Sequence, residues 1–570
     1  MCSPRVASIR KWIGPCVLSI LFVTAATVCS AQTFTTLHYF NGKGGADPQA
    51  GLVQATDGNL YGTTFFGGVN GIRNPSGTVF EVTPSGTFKM LYSFCSQSGC
   101  ADGYGPMSTL IQASDGNLYG TTSVGGVNSG GTIFRVTLSG KLTTLYSFCS
   151  QRPNCTDGAR PLAGLIQATD GNLYGTTRDG GANTGGTVFR MTLNGTLTTL
   201  YSFCSLPNCT DGFEPLAPLM QATNGNFYGT ASNSTNGGGV VFEISSGGRL
   251  TTLYRFCSQT SCADGSDPVA GLIQASDGYL YGTTFEGGAN DKGTVFKITP
   301  EGQFSKTHDF CSELPNCADG GWPQAGLIQA TDGDLYGTTS IDGGIGGSGT
   351  AFKIAPDGTL TTVYVFGSQT GDGESPVAPL VQATNGNFYG TTSTQGKQTY
   401  GVGTIFSGSL GLAPFVETQT TSGKVGAVVT ILGNNLNGST GVSFGAAPAT
   451  FTVNSNSNLK ATVPNGATTG VVTVTTPDGT LTSNQDFRIL PEFTGFTPPS
   501  GPVGTVVTIT GVSLTQTTAV TFDGVSASSF TVNSDTQVTA TVPAGSKTGV
   551  IVIRTVGGCR WSPTAFTVTP

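Results

Sequence analysis

"TFTTLHYF", Thr33–Phe40, returns along the chain as "KLTTLYSF" (Lys141–Phe148), "TLTTLYSF" (Thr196–Phe203) and "RLTTLYRF" (Arg249–Phe256). In the later places the phrase ends a longer repeated unit, yet here it precedes the first one. The unit is marked by "LYGTT" or a near variant, which puts tyrosine at 61, 119, 174, 228, 281, 336 and 389. A period of fifty-odd residues means a solenoid or a propeller. Each unit reads as four strands, in the second unit Thr109–Ala113, Asn117–Thr122, Gly131–Thr137 and Leu142–Phe148. "SDG" and "LSG" make short turns within the first and last pairs. Four strands per unit describe the blade of a β-propeller.

The seventh unit holds "PLVQA", "NFYGTT" and "GTIF" and stops near Leu410 without its closing strand. The one unassigned copy of that strand is Thr33–Phe40. If it completes the seventh unit, the two ends of the array join by hydrogen bonds and two open sheet edges disappear. A solenoid would carry atypical caps instead. The composition agrees with an all-β chain: of 570 residues 86 are glycine and only 10% are charged, while 37% are hydrophobic. That is too apolar for disorder and too rich in glycine for helices.

These units resemble the GloVer tandem-repeat family of exported bacterial proteins, on the strength of "GLIQATDGNLYGTT", "GG" and "GTVF" over roughly residues 33–410. The resemblance implies a propeller-like surface protein and brings no ligand or reaction with it. After "GLAP" two further copies are offset by 78–79 residues: "TSGKVGAVVTILGNNL" with "PSGPVGTVVTITGVSL", and "FTVNSNSNLKATVP" with "FTVNSDTQVTATVP". They look like IPT/TIG domains, small immunoglobulin-like sandwiches, which outside the cell serve as spacers or adhesive stalks. The expected fold is therefore all-β: a seven-bladed β-propeller closed by an N-terminal strand, followed by two immunoglobulin-like (IPT/TIG) β-sandwiches. The expected divisions are 1–31, 32–411, 412–490 and 491–570.

Residues 1–31 read as a secretory signal peptide: Arg5, Arg10 and Lys11 precede an apolar run over Ile13–Val28, and "CSAQ" suits cleavage after Ala31. The run is short for a membrane span. Lipid attachment at Cys29 is disfavoured by bulky Val28. Without the leader, 22 of the 25 basic residues face 32 acidic ones, a net charge of −10. No basic stripe remains for phosphates, which excludes nucleic acid as a partner. The mature chain is expected at the cell surface or secreted, extracellular or periplasmic, with no transmembrane segment.

Ten of the fourteen cysteines form local pairs in one recurring loop: Cys95/Cys100, Cys149/Cys155, Cys204/Cys209, Cys257/Cys262 and Cys311/Cys317. Export and the close spacing predict five disulfide staples, with Cys559 left over. A zinc site would need histidine partners. The two histidines, His38 and His308, fill a slot held by Tyr146 and Tyr201 elsewhere. Neither a zinc-helix motif nor a nucleophile elbow occurs.

Long connections gather on one side of the units, and binding is usually built on such loops. "DGxxP" recurs there at Asp102, Asp157, Asp211, Asp264, Asp319 and Asp372. One reading makes each aspartate the acceptor of its own turn. The sharper reading makes them an acidic ring at a channel mouth that binds a cation or sugar hydroxyls. Calcium would suit such oxygens, held weakly because they are dispersed; no cofactor is expected. A recurring glutamine, at 54, 112, 167, 221, 274, 329 and 382, reads as a hydrogen-bonded belt. The "TDGN" aspartates 57, 115, 170, 277 and 332 sit in hairpin turns on the opposite side. Together these features predict a non-enzymatic binding or adhesion protein whose partner is an extracellular polysaccharide or a surface protein. The rival is a polysaccharide lyase or glycoside hydrolase, which requires two carboxylates in unlike environments.

Overall fold

The structure, a computed structural model, describes residues 32–69, 76–235, 237–312, 315–344, 347–394 and 402–570. The expected leader, 1–31, lies outside them. Among the described residues there is no α-helix, and no helix is long and apolar enough to cross a membrane.

Strand β1 (Thr33–Tyr39) stands alone before the first sheet, which is built from β2 (Val53–Gln54), β3 (Leu60–Thr64), β4 (Thr78–Val82) and β5 (Phe88–Ser93). Five more sheets repeat this order of four antiparallel strands, over residues 111–147, 166–202, 220–255, 273–309 and 328–365. The seventh has Val381–Gln382, Phe388–Thr392 and Thr404–Ser409, and its fourth strand is β1. Pairing is antiparallel from Thr33↔Ser409 to Tyr39↔Thr404, with a bulge between Thr36 and His38. The same bulge interrupts the last pair of sheet two, at Ile133/Phe134. The N-terminal strand thus has the register of the strand it replaces. The first strand of each sheet is only two residues long, shorter than the five expected.

Sequence dictates the packing of each sheet. All five residues of "LYGTT" are buried in every sheet. The middle glycine is required by crowding: a Cβ on Gly62 would lie 2.6 Å from the Phe80 ring and 2.8 Å from Leu52, and Gly175 meets Phe189 and Leu165 in the same way. The last threonine pairs its hydroxyl with the first residue of the next strand, Thr177 Oγ1 to Thr187 Oγ1 at 2.8 Å. In sheet four both members are apolar, Ala231 and Val240, so no hydroxyl is left unpaired there.

Between successive sheets lie seven apolar clusters. One joins sheet one to sheet two through Tyr61, Val79, Phe94, Leu110 and Phe134. Another joins sheet seven back to sheet one through Tyr389, Ile405, Phe40, Leu52 and Phe80. A circuit of hydrogen bonds follows the same path: Thr56 N donates to Gln112 Oε1, Ser114 N to Gln167, Thr169 N to Gln221, Thr223 N to Gln274, Ser276 N to Gln329, Thr331 N to Gln382, and Thr384 N to Gln54. The glutamines are therefore the belt that the sequence pattern suggested. Strand β1 reaches both neighbours as well, since Phe34 stacks on Tyr364 of sheet six at 4.1 Å and His38 on Phe88 of sheet one at 3.9 Å.

The chain continues into two sandwiches. In the first, Glu417–Thr418, Val428–Leu432, Asn458–Thr462 and Phe451–Val453 form one sheet. Ala447–Pro448, Gly441–Phe444, Val472–Thr476 and Gly479–Thr482 form the facing sheet, and Ile431, Leu436, Phe444, Leu459 and Phe487 lie in the core. The second has its own core around Ile509, Phe522, Val538 and Phe566. The first sandwich rests on the short-turn side of the seven sheets. Phe415 N donates to Thr384 O at 3.0 Å, Asn458 Nδ2 to Thr56 O at 2.7 Å and Arg488 Nη1 to Thr223 O at 3.0 Å. Those three threonines occupy one equivalent turn in sheets seven, one and four, so the sandwich lies across the array from one side to the other.

Candidate functional site

The long connections meet on the side away from that sandwich, and the disulfide loops belong to them. All five expected pairs are bonded: Cys95–Cys100, Cys149–Cys155, Cys204–Cys209, Cys257–Cys262 and Cys311–Cys317. Cys559 is free. Closing so short a loop stabilises by about 2 kcal/mol on a chain-entropy model.

Five of the six "DGxxP" aspartates lie two residues beyond the second cysteine of these loops, and Asp372 lies in the corresponding connection, which has no cysteine. Asp102, Asp157, Asp211, Asp264 and Asp319 are buried. Asp211 Oδ2 accepts from Tyr201 Oη at 2.7 Å, Ser205 N at 2.9 Å and Ser205 Oγ at 3.1 Å, while Leu206 N donates to Oδ1 at 3.2 Å. Asp102, Asp157 and Asp264 repeat the pattern. Asp319 takes His308 Nε2 at 3.1 Å in place of a tyrosine, and Asp372 takes Tyr364 at 2.8 Å. Burial pushes the Asp264 and Asp319 carboxyls up, but donors outweigh it and hold both below the usual carboxylate range. At Asp372 burial prevails over Tyr364 and the loop amides, and the carboxyl is raised. This geometry favours the turn-acceptor reading over the open acidic ring. Among the described residues no three His, Cys, Asp or Glu side chains converge to hold a metal ion.

The first unit lacks the pair: Gly44 stands in the aspartate's place and His38 in the tyrosine's. His38 Nε2 is buried with no hydrogen-bond partner among the described residues, and burial lowers the ring's pKa to about 4. The "TDGN" aspartates are also acceptors. Tyr61 Oη donates to Asp57 at 2.6 Å and Tyr174 Oη to Asp170 at 2.9 Å.

A position the sequence reading passed over is the residue before the proline of "DGxxP": Asp47, Gly105, Arg160, Glu214, Asp267, Trp322 and Ser375. All seven have φ between 53° and 63°. Only glycine takes that conformation without strain, and a following proline disfavours helical backbone further. The backbone is held alike each time. Asp267 N donates to Gly238 O at 3.1 Å, and its carbonyl accepts from Phe285 N at 3.0 Å; Trp322 does the same with Lys292 O and Ser340 N. The frame is constant while the side chain varies, with only aspartate used twice, at 47 and 267. A varied residue ahead of a recurring proline is visible in the sequence, whereas the left-handed backbone that marks the position is not.

One sector of this face concentrates chemistry. Phe285 and Trp322 stand with ring centroids 6.0 Å apart, and Lys292 Nζ lies 4.1 Å over the Trp322 ring. Lys292 also pairs with Asp342 at 3.2 Å, Arg178 with Glu214 at 3.0 Å and Arg160 with Asp179 at 3.1 Å. Among the described residues Asp267 has no such partner. Burial, with Glu286 and Glu214 nearby, raises its pKa to about 6.

The fold and this face define a class, an all-β array of four-stranded sheets with one loop-built surface. The Gloeobacter/Verrucomicrobia repeat model matches residues 24–233 and 218–470, and the chain belongs to that family. The IPT/TIG domain model matches residues 491–568. The repeat match continues into the first sandwich and ends within it at residue 470. No curated protein matches the chain in sequence. Among solved structures, a fungal alcohol oxidase in complex with copper is similar at 12% identity and TM-score 0.46, over 80% of this chain and 98% of that one. A surface glycan-binding protein from Prevotella bryantii is similar at 20% identity and TM-score 0.21, over 26% of this chain and 38% of that one. The extracellular domain of a hybrid two component system from B. thetaiotaomicron is similar at 12% identity and TM-score 0.43, over 91% and 65%.

Proposed function

We propose that this protein is exported by the leader over 1–31 and binds extracellular polysaccharide through the long-loop face of a seven-bladed β-propeller. The propeller spans 32–411, and IPT/TIG-like sandwiches over 412–490 and 491–570 hold it away from its attachment. One observation carries the binding reading: six non-glycine side chains are kept in left-handed backbone at equivalent places on one face. Each such residue costs on the order of 1 kcal/mol or more, and strain of this kind gathers at functional sites. The Phe285–Trp322 pair supplies apolar area for a sugar ring, and Asp267, Glu286 and Arg178 supply polar groups for its hydroxyls.

A glycan array with the intact protein, Trp322→Ala and Asp267→Asn tests this reading. The intact protein should retain a polysaccharide class, and Trp322→Ala should weaken that binding at least tenfold with an unchanged melting temperature. Binding that survives both substitutions would remove the sector from the site. A second reading has one observation in its favour: a carboxyl that keeps its proton up to about pH 6 lies near Glu214 and Glu286, the unlike pair that glycosidases employ. Release of oligosaccharides that stops in Asp267→Asn would establish it in place of simple binding.

A further inference from the structure

The first sandwich does more than lean on the array. Its first strand, Glu417–Thr418, and Gln419 line a pocket of about 230 Å³ together with the first strands of sheets seven, one and two. Because the sandwich also bonds to sheet four through Arg488 and Thr223, it covers the short-turn end of the space at the centre of the array. Glu417 carries the one ionisable side chain that lines this pocket. Around it stand Gln54, Gln112, Gln419, Thr109 and Thr418, with aliphatic side chains filling the rest. Gln419 Nε2 donates to Gln112 Oε1 at 3.1 Å, not to the carboxyl. Arg488, the cation of this joint, donates to the Thr223 carbonyl, and no ion pair links it to Glu417. Among the described residues the carboxyl of half-buried Glu417 has neither a hydrogen-bond donor nor a counter-charge.

We propose that Glu417 is a proton-operated latch: the sandwich seats firmly on the array while the carboxyl is protonated and loosens when it ionises. An undocked sandwich returns the group to water, where it ionises freely. A docked one must hold a charge in a pocket with nothing to pair it, and such a charge is costly. Burial accordingly moves the group from its ordinary 4.5 to about 7. The folded value is the higher one, so the docked state binds the proton more tightly. Docking is therefore strongest below pH 4.5, weakens as pH rises toward 7 and levels off above it. The upper bound is roughly 300-fold in the docking equilibrium, tenfold for each pH step between the two values, and the residue's partial exposure moderates it.

Hydrogen exchange of the full chain reads this directly. The Phe415 amide bonds Thr384 O across the joint, so its exchange follows opening. The rate in the parent divided by that in Glu417→Gln, at each pH, cancels the intrinsic pH dependence of exchange. The ratio should be near 1 at pH 4.5, climb at least thirtyfold by pH 7 and stay level to pH 9. The Tyr119 amide inside sheet two should keep a constant ratio throughout. A flat ratio at Phe415 overturns the latch. So does an equal rise at Tyr119, which would assign the effect to the whole molecule.

Discussion

Thr177 and Thr187 show how single residues are chosen in pairs. Their buried hydroxyls satisfy each other at 2.8 Å, and the equivalents in sheet four are both apolar. Removing one partner strands the other, whereas removing both need cost little. Thr177→Ala should destabilise by about 1–2 kcal/mol in denaturant unfolding, because Thr187 keeps a hydroxyl without its partner. The double change Thr177→Ala with Thr187→Val, which copies sheet four, should recover most of that loss. A double-mutant cycle with no coupling would show that the hydroxyl pair contributes nothing. Residue choices of this kind were legible in the chain through the repeat itself: "GTT" is followed regularly by "GT", and both change together in the fourth unit. The role of the residue ahead of proline was not legible, since its side chain varies and only the backbone repeats.

At the scale of an element, β1 supplies the fourth strand that the seventh unit lacks. It contributes Phe40 to the cluster joining sheets seven and one, and Phe34 to the one joining six and seven. Deleting 33–40 should leave Thr404–Ser409 as an open edge, lower the melting temperature and give oligomers in light scattering. A truncated chain that melts with its parent and stays monomeric would show that closure contributes little. The strand's pairing partner could be inferred from sequence because the seventh unit lacks its own copy. Its stacking on sheets six and one could not, because those contacts depend on how neighbouring sheets are rotated against each other. The short first strands have a similar origin. Their sequence has the apolar look of a longer strand, yet the chain upstream meets the neighbouring unit through side chains, as where Thr109 Oγ1 accepts from Gly51 N of the first unit at 3.0 Å.

Across the whole molecule, two buried groups respond to acid in opposite senses. His38 has its pKa lowered to about 4 by burial, so the folded state prefers the neutral ring. The stability it allows is complete above the ordinary value of 6.5 and is lost as pH falls toward 4. Partial exposure of the ring moderates the loss. Glu417 runs the other way across an overlapping range. Between pH 7 and 4.5 the seam at β1 should therefore loosen while the joint at Thr384 tightens. Hydrogen exchange, corrected for its intrinsic rate, should rise at Phe40 and fall at Phe415 over that interval, and His38→Phe should abolish the first change alone. If both amides move in the same direction, local titration is not what sets these two contacts.

What the chain determined by itself is what a repeat can carry: a period, four strands per unit, a displaced closing strand and cysteine pairs a few residues apart. Such features depend on contacts that recur identically, so each unit testifies for the others. Tertiary structure decided the rest. The aspartates of "DGxxP" allowed two readings, turn acceptors or an acidic ring, and only the folded loops show each carboxylate accepting from the donors around it, as Asp211 does from Tyr201 and Ser205. Glu417 carries no local mark at all. It sits in a strand of two half-buried residues, and only the docking of one domain on another brings it into a pocket whose described lining offers its charge no partner.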